Sequence, residues 1–158
     1  MRAWLMAHGI ADRTVWVADS FDGLPPPTHP QDAGVDLTKR TNPFLAVPRA
    51  EVEELFARYD LLDGQVRFLE GWFRDTLATA PIGRLALLRL DGDLYESTMD
   101  ALQALYHKVA PGGFVIVDDF YTNRTCADAI HDFRRERAIK APTTDIDGDA
   151  LFWRVPQG

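Results

Sequence analysis

The chain holds a single cysteine, Cys126, in 158 residues. No intramolecular disulfide can staple it, and a reducing compartment suits it. No run approaches the roughly 20 apolar residues that cross a bilayer. The opening stretch from Met1 to Ile10 lacks both the long apolar core and the small-residue cleavage site of a signal peptide, so a cytoplasmic protein is expected. Positive charge is scarce: 17 Lys and Arg stand against 24 Asp and Glu, a net charge of −7. Nucleic acid and anionic membranes both need a basic face, so neither is expected as a partner. Repeats and low-complexity tracts are missing too. What remains, 46% apolar and 26% charged residues, is globular composition, and the length predicts one domain over 1–158 with a real core.

Proline and glycine are clustered. Pro25-Pro26-Pro27, Pro30, Gly34, Pro43 and Pro48 punctuate residues 21–48, which read as a long loop, either a plain surface loop or a cover over a substrate. Elsewhere short apolar runs at 14–18, 66–70, 85–90 and 114–117 read as strands. Helical spacing is found at 49–61 (Val52, Leu55, Phe56, Tyr59) and after residue 97 (Thr98, Leu102, Leu105, Val109), the latter ended by Pro111-Gly112-Gly113. A further helix carries Cys126, Ala129, Ile130 and Phe133, which makes the cysteine a core residue. Residues 1–10 read as the last turns of a helix with Gly9 near its end. The tail, 144–155, reads as a hairpin around Asp147-Gly148. Strand–helix alternation of this kind means α/β, three layers, with mostly parallel strands.

Two acidic sets follow two of these strands: Asp91-Gly92-Asp93-Leu94-Tyr95-Glu96-Ser97 after the third, Asp118-Asp119-Phe120 after the fourth. A parallel sheet gathers its chemistry beyond the carboxyl ends of its strands. Carboxylates converging there repel one another unless a hard cation neutralises them. Asp91, Asp118 and Asp119 are oxygen ligands of the type Mg²⁺ prefers. A lone strand-end aspartate more often caps the following helix, and Asp93 is placed to do so. Two strands both ending in acidic pairs favour the metal. Asp19, directly after the first strand, suits either a turn or a ribose diol. Gly71-Trp72-Phe73 suits either core packing or a flat ring approaching backbone. His8, His29, His107 and His131 show no metal-ligand spacing. Asp91-Gly92-Asp93 also suggests a phosphatase nucleophile pair, but that class expects it near the N-terminus with a downstream lysine.

The segments 15–25, 68–73, 88–98 and 111–119, in this order and spacing, resemble the macrocin O-methyltransferase family, whose members methylate sugar hydroxyls of antibiotics with S-adenosylmethionine and Mg²⁺. The resemblance covers about 1–155. It implies a Rossmann-like methyltransferase fold with helices on both faces of the sheet and a C-terminal antiparallel hairpin. Asp91, Asp118 and Asp119 would be the metal ligands and Asp93 the candidate general base, or at least a neighbour of the reacting hydroxyl. Asp19 and Ser20 would hold the cofactor ribose, with Asp91 also on the cofactor side, and Gly71, Trp72 and Phe73 would flank the adenine. Tyr95 and Glu96 would lie near a small-molecule glycosylated acceptor. A homo-oligomer is left open.

The family also carries an upstream first strand and glycine loop, which would lie between the strand ending at Asp19 and the one ending at Asp91. The expectation is therefore an N-terminally incomplete domain in which those two strands close up or are completed by another chain. The alternative to an active enzyme is a remnant or binding module that keeps the metal cluster but not the cofactor site.

Overall fold

The structure is a computed structural model that describes residues 1–157. The chain divides into two compact units, Met1–Pro25 with Leu37–Thr76, and Pro26–Asp36 with Leu77–Gly158.

In the first unit, α1 (Arg2–Ala7) stops where Gly9 takes φ +63°, a conformation that costs glycine little and closes the helix end. Two parallel strands follow, β1 (Val15–Asp19) and β2 (Val66–Glu70), in register so that Asp19 faces Glu70. Between them lies α2 (Arg49–Arg58), and α3 (Phe73–Thr76) is a single turn after β2. The spacing of α2 is correct, but its apolar stripe is not core. Leu55 and Tyr59 are exposed, and Phe56 is half-buried, meeting Phe68 edge-on at 6.0 Å. The helix ends three residues before the expected 61 because Asp60 turns left-handed at φ +55°, letting the Leu61 N–H reach Phe56 O at 2.9 Å.

The second unit holds β3 (Leu85–Leu90), α4 (Tyr95–Leu105), β4 (Val109–Val117), α5 (Arg124–Glu136), β5 (Thr144–Asp145) and β6 (Leu151–Arg154). The sheet order is β3-β4-β6-β5, with β3 and β4 parallel and β6 antiparallel to both neighbours. Leu88, Leu90, Val115 and Val117 are buried on one sheet face; Leu102, Ala129, Ile130, Phe133 and Trp153 are buried with them in the core. β5 and β6 form the expected hairpin. Its turn is held by Asp147, whose Oδ1 accepts from the Asp149 and Ala150 N–H groups, with Gly148 at φ +90°.

One boundary differs from expectation. Val109 is not the last turn of a helix but the first residue of β4, paired with Leu85. Pro111-Gly112-Gly113 then sits inside the strand as an irregularity instead of ending a helix. Gly113 must be glycine there, since a Cβ would lie 2.8 Å from Ala110 O.

Among the described residues β1 pairs only with β2, and β3 only with β4 on its ladder side, so neither closes up on the other. No helix among them is long and apolar enough to cross a membrane.

Candidate metal centre and cofactor turn

Strand alternation builds the acidic cluster. Residues two apart on a strand share a face, so Arg89 and Asp91 point the same way. Arg89 is opposite Ile116, which puts Asp118, two residues further on and just past the end of β4, beside Asp91. The Asp118 N–H continues the ladder to Leu90 O at 2.9 Å. One ligand oxygen from each of Asp91, Asp118 and Asp119 lies within 4.8 Å of the others. Around a six-coordinate Mg²⁺ neighbouring oxygens are about 3 Å apart and opposed ones about 4.2 Å, so the three carboxylates are within side-chain reach of one ion. Arg89 is also part of the cluster. Its guanidinium reaches Asp91 Oδ2 at 3.0 Å and Asp118 Oδ2 at 2.5 Å.

Burial raises the Asp119 carboxyl to about 7, with further repulsion from Asp93, Asp91 and Asp118. Its Oδ2 is shut off from solvent without a hydrogen-bond partner among the described residues. A buried, unpaired carboxylate oxygen is costly unless a proton or cation meets it. The donor set therefore fits a hard divalent ion: all oxygen, one of them orphaned, with too little positive charge alongside.

Asp93 does not cap a helix. Leu94 occupies the N-cap of α4, and no side chain of α4's own leading residues caps it. Asp93 instead adopts φ +53°, a left-handed conformation that non-glycine residues seldom take outside constrained sites. The Thr125 hydroxyl donates to its carbonyl at 2.9 Å, and Asn123 Nδ2 stands 3.4 Å from its Oδ1. Burial, and then Asp91 and Asp118, push the Asp93 carboxyl above the usual range.

The cap of α4 comes from Asp32. Its carboxylate is fully buried and accepts the Tyr95 N–H at 2.7 Å and the Glu96 N–H at 3.0 Å. These are two of the orphan donors at a helix start. Thr28 donates to Glu96 at 2.5 Å, and His29 stacks on Tyr95 with ring centroids 4.5 Å apart. Residues 26–36 are thus fastened to α4 and are not a free surface loop. Tyr95 is buried, and its hydroxyl donates to Asp132 at 3.0 Å, so its ring serves the α4–α5 packing; Glu96 is half-buried.

In the first unit the tips of β1 and β2 meet, with the Gly71 N–H bonded to Asp19 O at 2.9 Å. Asp19 is exposed, and its Oδ1 accepts from the Phe21 N–H at 2.7 Å. Ser20 donates to Gly23 O at 2.6 Å and accepts from the Asp22 N–H. Gly71 has φ +133°, and a Cβ there would sit 2.7 Å from Thr76 Cγ2, so only glycine fits this turn. The residues expected around a cofactor, Asp91 apart, therefore form one turn pair in the first unit, and the residues expected around a metal, Asp91 among them, form one cluster in the second.

Sequence reasoning missed Arg89 and Asp32. Arg89 had a signal, as the one charged residue inside an apolar strand. Asp32 had none, because an aspartate in a polar, proline-rich loop looks like any other. Cys126 is core as expected, its thiol pushed up to about 12 chiefly by burial.

The fold is that of the methyltransferases, shared with solved structures of that class. The likeness to the calicheamicin methyltransferase CalS11, TM-score 0.69 at 21% identity over 97% of this chain and 66% of that one, is one of fold alone. The family described as Macrocin-O-methyltransferase (TylF) matches residues 1–155, and the chain belongs to that family. It is 55% identical over 157 residues to the 8-demethyl-8-(2,3-dimethoxy-alpha-L-rhamnosyl)-tetracenomycin-C 4'-O-methyltransferase of Streptomyces olivaceus, covering 98% of this chain and 59% of that protein. It is 52% identical over 162 residues to the demethyldecarbamoylnovobiocin O-methyltransferase of Streptomyces niveus, covering 98% and 60%. The solved O-methyltransferase NovP superposes with a TM-score of 0.94 at 50% identity, covering 99% and 66%. The chain thus spans about three fifths of the curated relatives it matches.

Proposed function

We propose that this chain carries the metal- and cofactor-binding part of an O-methyltransferase that uses S-adenosylmethionine and Mg²⁺ to methylate a sugar hydroxyl of a glycosylated natural product. The observation that carries the reading is the gathering of Asp91, Asp118 and Asp119 within 4.8 Å in a chain of this family.

A sugar hydroxyl is a poor nucleophile at neutral pH because it stays protonated. Bound Mg²⁺ supplies charge stabilisation for a developing alkoxide, and S-adenosylmethionine supplies the methyl group. Asp91, Asp118 and Asp119 hold the ion. Asp93 takes the hydroxyl proton, its basicity raised by burial and by its acidic neighbours. Asp19 and Ser20 hold the cofactor ribose at the tip of β1, and the Gly71-Trp72-Phe73 turn flanks the adenine. Glu96, held through its N–H by Asp32 and through its carboxylate by Thr28, faces the acceptor beside Tyr95. Orienting the two reactants is a large part of the rate gain such an arrangement offers.

Calorimetry with S-adenosylmethionine tests the cofactor half, and no heat of binding at millimolar cofactor contradicts it. For the metal half, turnover is followed on a rhamnosylated tetracenomycin, the acceptor named for the Streptomyces olivaceus relative. Asp118→Asn and EDTA treatment are each expected to abolish turnover. Undiminished activity after exhaustive chelation rules the metal role out.

A further inference from the structure

Arg89 contacts two of the three carboxylates assigned to the ion. Its Nη1 is 3.0 Å from Asp91 Oδ2 and its Nη2 is 2.5 Å from Asp118 Oδ2. The strand fixes this geometry, because Arg89 lies two residues before Asp91 on the same face of β3 and opposite Ile116, two residues before Asp118, on β4. A guanidinium has a rigid fork that bridges two carboxylates where an ammonium would act as one point charge. The side chain costs the strand something as well. It is a charged residue between Leu88 and Leu90, both buried, in a run that is otherwise apolar.

We propose that Arg89 is the resident counter-ion of the metal centre: it spans Asp91 and Asp118 in the metal-free protein, shares them with the divalent ion when that binds, and thereby holds the site's cation affinity down. The inference rests on the reading that Asp91, Asp118 and Asp119 share one divalent ion. The physical argument is one of charge. Without a cation, four carboxylates (Asp91, Asp93, Asp118 and Asp119) crowd the tips of two adjacent strands, and Arg89 is the group that bridges two of them. Once an ion is bound, the same fixed positive charge lies a few ångströms from it and repels it. Arg89 therefore favours the empty site twice over, by relieving repulsion when the ion is absent and adding it when present. Such a residue keeps the metal exchangeable and keeps the strand tips in place between occupancies. It is a positioning residue, and it touches neither cofactor nor acceptor in this account.

The test is titration of the full chain with Mn²⁺, followed by calorimetry, for wild type, Arg89→Gln and Arg89→Lys. Removing the charge is expected to tighten Mn²⁺ binding on the order of tenfold, the scale for a unit charge a few ångströms from a divalent ion near water. Arg89→Lys, which keeps the charge, is expected to stay within about threefold of wild type. Unchanged or weaker binding by Arg89→Gln overturns the proposal, as does an Arg89→Lys protein that behaves like Arg89→Gln. If wild type itself takes up no Mn²⁺, the metal reading fails instead, so the two failures are distinct. A second measurement needs no neutral variant: ¹⁵N spectra of the arginine side chains in wild type, with Arg89 assigned from the signal missing in Arg89→Lys. Its guanidinium resonance is expected to move as Mg²⁺ is added to chelated protein. A resonance indifferent to Mg²⁺ overturns the proposal even where Arg89→Gln does not fold.

Discussion

The two units bury their apolar side chains very differently. In the second, one face of β3 and β4 (Leu88, Leu90, Val115 and Val117) and the inner faces of α4 and α5 are closed, down to Trp153 and Phe133 at 0% and 1% exposure. In the first, Val15 and Val66 are the buried apolar residues, while Met1, Trp4, Met6, Phe44, Val47, Leu55, Tyr59 and Leu62 are exposed. The units also treat their carboxylates in opposite ways. In the first, Arg2 is buried and pairs with Asp63. In the second, acidic groups crowd together and leave a buried oxygen of Asp119 unpaired. The difference separates two jobs. The second unit has the core to hold like charges at close range, and the first offers a turn and exposed surface with little of its own core behind them.

Core truncation gives the widest contrast. Phe133→Ala is expected to cost about 3–5 kcal/mol in urea denaturation, as full deletion of a buried aromatic does. Phe56→Ala, on a helix with no buried residue, should cost less than about 1 kcal/mol. Equal costs would erase the distinction between the units.

The next effect is at Asp32. Replacing it by alanine strands two helix-start donors, one buried and one part-buried, and should cost about 2–3 kcal/mol. Limited proteolysis is expected to cut within 26–36 in that variant and not in wild type. Asp32→Asn keeps one acceptor oxygen and should recover part of the loss. A silent Asp32→Ala means the loop is not fastened to α4.

The smallest contrast, after solvent screening of half-exposed groups, lies in pH. The folded state raises Asp119 from 3.8 to about 7, so it binds a proton that the unfolded chain has already released between those values. That contribution is present below about 4 and is lost as pH rises to about 7. Asp63 runs the other way. The hydrogen bond from Arg2, then one from the Gln65 backbone, hold it below 3.8, so its contribution is present above that value and is lost as pH falls through the depressed one. Scanning calorimetry of chelated protein should show Tm falling from pH 4 to 7, flattened by Asp119→Asn but not by Asp63→Asn. A Tm that rises over this range in wild type and is insensitive to Asp119→Asn contradicts the crowding at Asp119.

Much of this was legible from residue order. Strand tips are written as apolar runs followed by Asp-Gly or Asp-Asp, so the cluster of Asp91, Asp118 and Asp119 could be placed before any coordinates, and the hairpin at Asp147-Gly148 likewise. Long-range partners were less legible. Asp32 reaches Tyr95 across 63 residues of chain, and no local pattern announces which loop carboxylate will meet which helix start. The start of β4 was misread because Val109 continues a helical spacing while its backbone already pairs with Leu85. The helical spacing of α2 was legible as a pattern, but periodicity reports a face without saying whether anything covers it, and here Leu55 and Tyr59 stay exposed.

The central claim is that one divalent ion is shared by the tips of β3 and β4. It is tested most directly by anomalous diffraction from a crystal soaked in Mn²⁺. The account predicts one peak per chain within about 2.5 Å of a carboxylate oxygen from each of Asp91, Asp118 and Asp119. A peak elsewhere, or none beside these three at millimolar Mn²⁺, contradicts it.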